Sequence, residues 1–147
     1  MPVLVTRKAP KSPAYSKTLV RREAEIMLKS LRIESAELSI LLCDDGFIQN
    51  LNAEHRGKDR PTDVLSFPLM DPDDEQLATL DGGILGDVVI SLDTAARQAQ
   101  EHSRSLNQEV AHLLAHGLLH LLGYDHTTDA EEEEMNRKTA ELLELIE

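Results

Sequence analysis

The chain carries a single cysteine, Cys43, in 147 residues. A lone thiol cannot close an internal disulfide, so the fold has to rest on its core, and such cysteine usage fits a reducing cytoplasm. Cys43 itself stands in the apolar run LSILLC and reads as a small buried residue. Long hydrophobic runs are missing too. No stretch approaches the roughly 18 residues of a membrane span. The N-terminal MPVLVTRKAP lacks the apolar region of a signal peptide. The expectation is a cytoplasmic protein with no membrane association. Basic charge is also short, with 15 Lys and Arg against 27 Asp and Glu, a net charge of −12. Taken as a total, that argues against a nucleic-acid partner.

The shortage is uneven. Residues 1–32 hold eight Lys and Arg against Glu23 and Glu25, a surplus of +6, so the remainder of the chain stands at −18. Charge acts locally because salt screens it over about 8 Å. A basic face therefore remains open to the N-terminal segment. The acidic C-terminal region reads as a solvated helix face.

What is present suits one domain over 1–147, since 41% of the chain is hydrophobic. MPVLVTR reads as a short strand. SPAYSKTLVRREAEIMLKSL reads as a helix, with Ser12 as its cap and Pro13 in its first turn. Val20, Ala24, Met27, Leu28 and Leu31 give it an apolar stripe. AELSILLC, TDVLSFP and LGDVVISL read as strands. DDGFIQNLNAEHRG reads as a short helix stopped by Gly57, with Phe47, Ile48 and Leu51 inward. MDPDDEQLATLDGG is an acidic polar loop. A helix capped by Ser91 or Asp93 follows. Ser105 and Gln108 then match a capping box before LNQEVAHLLAHGLLHLL, which Gly123 ends. The last helix starts near Asp129, with its acidic run in the first turns and Met135, Leu142, Leu143 and Ile146 inward. The sum is an α+β fold with a mixed sheet of about four strands and about five helices.

The segment HGLLHLLGYDH, His116 to His126, places three histidines in eleven residues. His116 and His120 are four apart, so on a helix both imidazoles leave one face and converge on one ion. Residue i+8 would lie about 12 Å along the axis. Gly123 answers that by ending the helix in a positive φ and returning the chain, which brings in His126. Three neutral imidazoles with a fourth position open describe a catalytic zinc site rather than a closed structural one. The cofactor expected is therefore one zinc ion. His112 and His116 form an alternative pair on the same face, though the downstream glycine favours His116 and His120. His112 is expected to be a neighbouring polar residue, and His55 and His102 to be surface histidines.

The spacing H-x-x-x-H-x-x-G-x-x-H is that of the metzincin metalloproteases, so the metal site is metalloprotease-like. Their catalytic glutamate is missing, because Gly117 stands in its place and no acid lies between His116 and His120. That absence weighs against peptide hydrolysis.

LNAEHRGKDRPTDVLSFP (Leu51 to Pro68), LGDVVIS (Leu85 to Ser91) and HGLLHLLGYDH together resemble the YbeY family of bacterial zinc-dependent endoribonucleases. The motif order and the chain length agree with that family. The resemblance implies single-strand-specific cleavage in ribosomal RNA processing, at the 3′ end of the small-subunit RNA, with a part in ribosome quality control. It implies ribosomal RNA and ribosomal subunits as partners rather than DNA. It assigns His116, His120 and His126 to zinc and makes Arg56 the arginine needed for activity. His55 departs from the family, where an aromatic residue is common.

The chemistry of Arg56 agrees. Phosphodiester cleavage builds negative charge on phosphate oxygens, and a guanidinium is always charged and fits two of them. Lys58 and Arg60 either hold neighbouring phosphates or belong to a solvated loop in which Arg56 pairs with Asp59 or Asp63. Zinc polarises a phosphoryl oxygen and lowers the pKa of water to about 7, which lessens the need for a carboxylate base. Asp125 is expected either to orient a ligand histidine or to be a turn residue after Gly123.

Overall fold

The short apolar runs form strands and the stretches of helical spacing form helices, in the order expected. The structure, a computed structural model, describes residues 3–8, 15–68 and 83–146. The elements are β1 (Val3–Lys8), α1 (Lys17–Ser30), β2 (Glu37–Cys43), α2 (Asp45–Arg56), β3 (Val64–Pro68), β4 (Ile84–Ser91), α3 (Leu92–Glu101), α4 (Leu106–Leu121) and α5 (Asp129–Glu144). The expected acidic loop falls almost wholly on residues 69–82, outside the described residues, as do Ser12 and Pro13.

Each helix begins on a side-chain cap, which satisfies an amide that the helix leaves without a partner. Helix α1 starts later than the expected cap at Ser12. Ser16 caps it, and the Ser16 hydroxyl accepts the Leu19 N–H at 3.2 Å. Asp44 caps α2, Ser91 caps α3 and Thr128 caps α5. The capping box of α4 is complete. The Ser105 hydroxyl accepts the Gln108 N–H at 3.1 Å, and the Gln108 side chain accepts the Ser105 N–H at 2.9 Å. Gly57, at φ 67°, closes α2 as expected.

The four strands form one mixed sheet in the order β1-β2-β4-β3. β1, β2 and β4 are parallel, and β3 runs antiparallel to β4 as an edge strand. Alternation along the strands divides the apolar residues between two faces. Leu38, Ile40, Leu42, Val88 and Ile90 enter the main core with α1, α4 and Met135 and Leu142 of α5. Leu65 and Val89 face the other way and, with Cys43 and Ile48, form a smaller cluster under α2. Burial pushes the Cys43 thiol up to about 12, so it is an inert core group. α4 packs against both β3 and β4, which sets its C-terminal half beside the edge strand. No helix among the described residues is long and apolar enough to cross a membrane.

Candidate metal centre

His116 and His120 occupy the last turns of α4, half-buried, with their Nε2 atoms 3.1 Å apart. The helix then ends in a left-handed turn. Gly123, at φ 96°, donates to the His120 carbonyl at 3.0 Å, and Tyr124 donates to the Leu119 carbonyl at 3.0 Å. These are the two bonds of a Schellman motif, and the Tyr124 side chain packs on the core beside it. The reversed chain carries His126 back to the pair. Its ring centroid lies 6.0 Å from that of His116 and 5.4 Å from that of His120. One ring nitrogen from each of the three histidines lies within 4.8 Å of the others.

The arrangement fits a single metal ion. Zinc–imidazole bonds of about 2.0–2.1 Å in a tetrahedron place the nitrogens about 3.3–3.4 Å apart, so only small movements are needed. Ligand imidazoles must be neutral. Burial, and then the neighbouring His120, push His116 down to about 4. Burial, followed by His126, also lowers His120, and the guanidinium of Arg56 adds to the effect. His112 stands apart from the group, its ring 6.4 Å from that of His116. Its Nδ1 is buried without a hydrogen-bond partner among the described residues.

The histidines open on a cleft of about 440 Å³ that follows β3. Arg56, at the end of α2, lines the same cleft. Its guanidinium makes no ion pair among the described residues. Both carboxylates proposed as its partners are engaged elsewhere. Asp59 accepts from Gln49 at 3.0 Å, while Asp63 accepts from the Val64 amide at 2.7 Å and from Gln98 at 3.2 Å. Lys58 and Arg60 are exposed and do not line the cleft. Their loop is nonetheless fixed, because the buried Asn52 donates to the Arg60 carbonyl at 2.9 Å.

Asp63, Thr62 and Ser66 also line the cleft, a role that the sequence reading did not give them. Their signal was present in TDVLSFP, but which strand face meets α4 depends on the sheet order. Asp125 lines the cleft as well, yet its carboxylate accepts the backbone N–H of His126 at 2.8 Å. It shapes the turn rather than orienting an imidazole. His102 is more than a surface histidine, because its Nδ1 lies 3.3 Å from the buried carboxylate of Glu109, which Arg104 also approaches at 3.3 Å. His55 is exposed but stacks edge-on against Phe67, with centroids 5.0 Å apart.

Gly117 has a packing cause. A Cβ there would sit 2.7 Å from Val88 Cγ1 and 3.2 Å from the Ser66 hydroxyl oxygen. The helix lies so close to the sheet at that point that a Cβ would force the Val88 side chain to shift. A glutamate there would have to displace it.

Residues 6–147 match the family model described as Endoribonuclease YbeY. A protein named Endoribonuclease YbeY from an Anaeromyxobacter species is 49% identical over 142 residues, covering 97% of this chain and 70% of that protein. One of the same name from Pelotomaculum thermopropionicum is 46% identical over 150 residues, covering 97% and 95%. Among solved structures, the solution structure of a Thermotoga maritima protein superposes with a TM-score of 0.67 at 26% identity, covering 98% of this chain and 88% of that one.

Proposed function

The chain belongs to the YbeY endoribonuclease family, and from that membership we propose that it is a zinc-dependent, single-strand-specific endoribonuclease of the cytoplasm. Its substrate is ribosomal RNA, in particular the 3′ end of the small-subunit RNA, met on ribosomal subunits, and its work includes ribosome quality control. DNA is not a substrate.

One observation carries the reading: three converging imidazoles and an unpaired arginine face one open cleft. His116, His120 and His126 hold the ion, and Arg56 takes the scissile phosphate. A zinc ion in that position supplies Lewis-acid polarisation of a phosphoryl oxygen and a lowered water pKa. The guanidinium fork binds two phosphate oxygens and offsets the charge that grows on them during cleavage. Lys58 and Arg60, exposed on the adjoining loop, meet flanking phosphates. The single-strand preference is supported by the cleft's course along an edge strand, where an unpaired backbone can bend around β3. A protease reading loses support at Gly117, where the close helix–sheet packing disfavours the glutamate that peptide hydrolysis would use.

The test is cleavage of structured RNA and of casein by the purified protein, with and without a chelator. RNA cleavage abolished by chelation and restored by zinc, with casein intact, is the expected result. RNA cleavage that persists in His120→Ala at the wild-type rate would overturn the reading.

A further inference from the structure

A second cavity, of about 490 Å³, lies on the opposite face of the sheet where α2 leaves it partly uncovered. Its walls are aromatic: Phe47 and His55 from α2, and Phe67 from β3. Lys8 of β1 reaches over the Phe47 ring, its ammonium 5.8 Å from the centroid. Asp87 of β4 pairs in register with Phe67 and lines the same groove. The Asp87 side chain is half-buried, and no hydrogen bond or ion pair connects it to any described residue. That leaves both of its oxygens available to accept from donors on a ligand in the groove.

The groove and the metal cleft share no lining residue, but they border one another at the end of α2 and across edge strand β3, where two pairs of sequence neighbours divide between them. Arg56 lines the cleft while His55 lines the groove, and Pro68 lines the cleft while Phe67 lines the groove. A polymer whose phosphate rests on Arg56 therefore has its next unit beside these rings. Aromatic walls accept any base by stacking. Asp87 adds selection. A carboxylate has two acceptor oxygens and prefers two parallel donors. Guanine alone among the four RNA bases presents a ring N–H and an amino N–H side by side on one edge. Adenine and cytosine offer an amino group beside a bare acceptor nitrogen, and uracil flanks its N–H with carbonyl oxygens that the carboxylate repels.

We propose that this groove is a nucleobase subsite that takes a guanine flanking the cleaved bond, stacked among Phe47, His55 and Phe67 and read by Asp87. The proposal rests on the endoribonuclease reading and deepens it. Lys8 also gives the basic N-terminal segment one defined position, since α1, with four of the eight basic residues of that segment, packs over β1 at the far edge of the sheet from β3.

The experiment compares cleavage of single-stranded RNAs of one length that carry G, A, C or U at each position around the cut. Wild-type zinc-loaded protein, Asp87→Asn and Phe67→Leu are assayed, and zinc content is measured for each. In a second arm, guanosine 5′-monophosphate and adenosine 5′-monophosphate are titrated into the metal-free protein and the phenylalanine ring protons are followed by NMR. The expected result is a preference of about tenfold for guanine at one flanking position, lost in Asp87→Asn at unchanged zinc content, with saturable ring shifts from the guanine nucleotide only. Cleavage with equal rates for all four bases, or a guanine preference that survives Asp87→Asn, overturns the subsite and leaves the endoribonuclease reading standing. A protein that cleaves no RNA overturns both.

Discussion

The Ser66 hydroxyl donates to the Gly117 carbonyl at 2.9 Å, which ties the edge strand to the middle of the helix that carries His116 and His120. Strand and helix approach so closely because residue 117 has no side chain. The buried, β-branched Val88 on the adjoining strand fills the space that a Cβ would need. The glycine thus serves the position of the histidines relative to β3, and with it the width of the cleft.

Gly117→Ala is therefore expected to destabilise the protein even though alanine is the better helix former by about 1 kcal/mol. Overpacking against Val88 costs about 1–3 kcal/mol, which less the helix gain leaves a net loss centred on about 1 kcal/mol in urea denaturation of the metal-free protein. A variant as stable as the wild type would mean that the sheet yields freely there.

Gly123 governs the third ligand. Its φ of 96° is strained for any residue with a side chain. Gly123→Ala is expected to lose about 1–2 kcal/mol of stability and to weaken zinc binding, because His126 no longer returns to the pair. Gly123→Asn, which tolerates a positive φ better, should fall between the two. Zinc affinity measured against a competing chelator orders the three proteins, and equal affinities would remove the turn from the account of the site.

Much of this site could be read in the chain because its parts are local. A spacing of four between two histidines and a glycine three further on specify a helix, its end and the return of His126 within eleven residues. The capping box at Ser105 and Gln108 is equally local and is present with both bonds. The parts that escaped notice depend on non-local order. β3 is joined to β4 in sequence, yet β4 inserts between β2 and β3. Only that order tells which of Ser66 and Phe67 meets α4 and which meets α2. Whether Arg56 pairs with Asp59 or Asp63 or stays open to a phosphate also depends on non-local order. Asp59 and Asp63 were near in sequence, but Gln49 and Gln98, from two different helices, occupy them.

Arg56 has no ion-pair partner to lose among the described residues, so its removal should leave the fold and the metal unchanged. Arg56→Ala is expected to keep one zinc per chain and to reduce RNA cleavage by about 10²- to 10³-fold, as for the loss of a donor to a charged transition state. Arg56→Lys should recover only part of the rate, since an ammonium lacks the planar fork. Metal analysis alongside single-turnover cleavage separates the roles. Parallel loss of zinc and activity in Arg56→Ala would assign the arginine to the architecture of the site instead.

A final prediction concerns pH. Glu23 of α1 is 6% exposed, and burial raises its pKa to about 7. The nearby Tyr15 hydroxyl is also raised, first by burial and then by the Glu23 charge. For Glu23 the folded state holds a proton that the unfolded chain gives up near pH 4.5. Its contribution is therefore complete below pH 4.5 and is lost as the pH rises through 7. The metal-free histidines act with the opposite sign. Their lowered pKa values mean that the unfolded chain binds more protons below about 6.5, so stability falls as the pH drops from there toward 4. Comparison of wild type with Glu23→Gln isolates the carboxyl, because the histidine contribution is common to both. The two proteins should be about equally stable at pH 4.5. By pH 8 the glutamine variant should be the more stable by about 3 kcal/mol, at about 1.4 kcal/mol per pKa unit. Stability curves of the two metal-free proteins that stay parallel from pH 4.5 to 8 would show that Glu23 ionises in the folded state as it does in water.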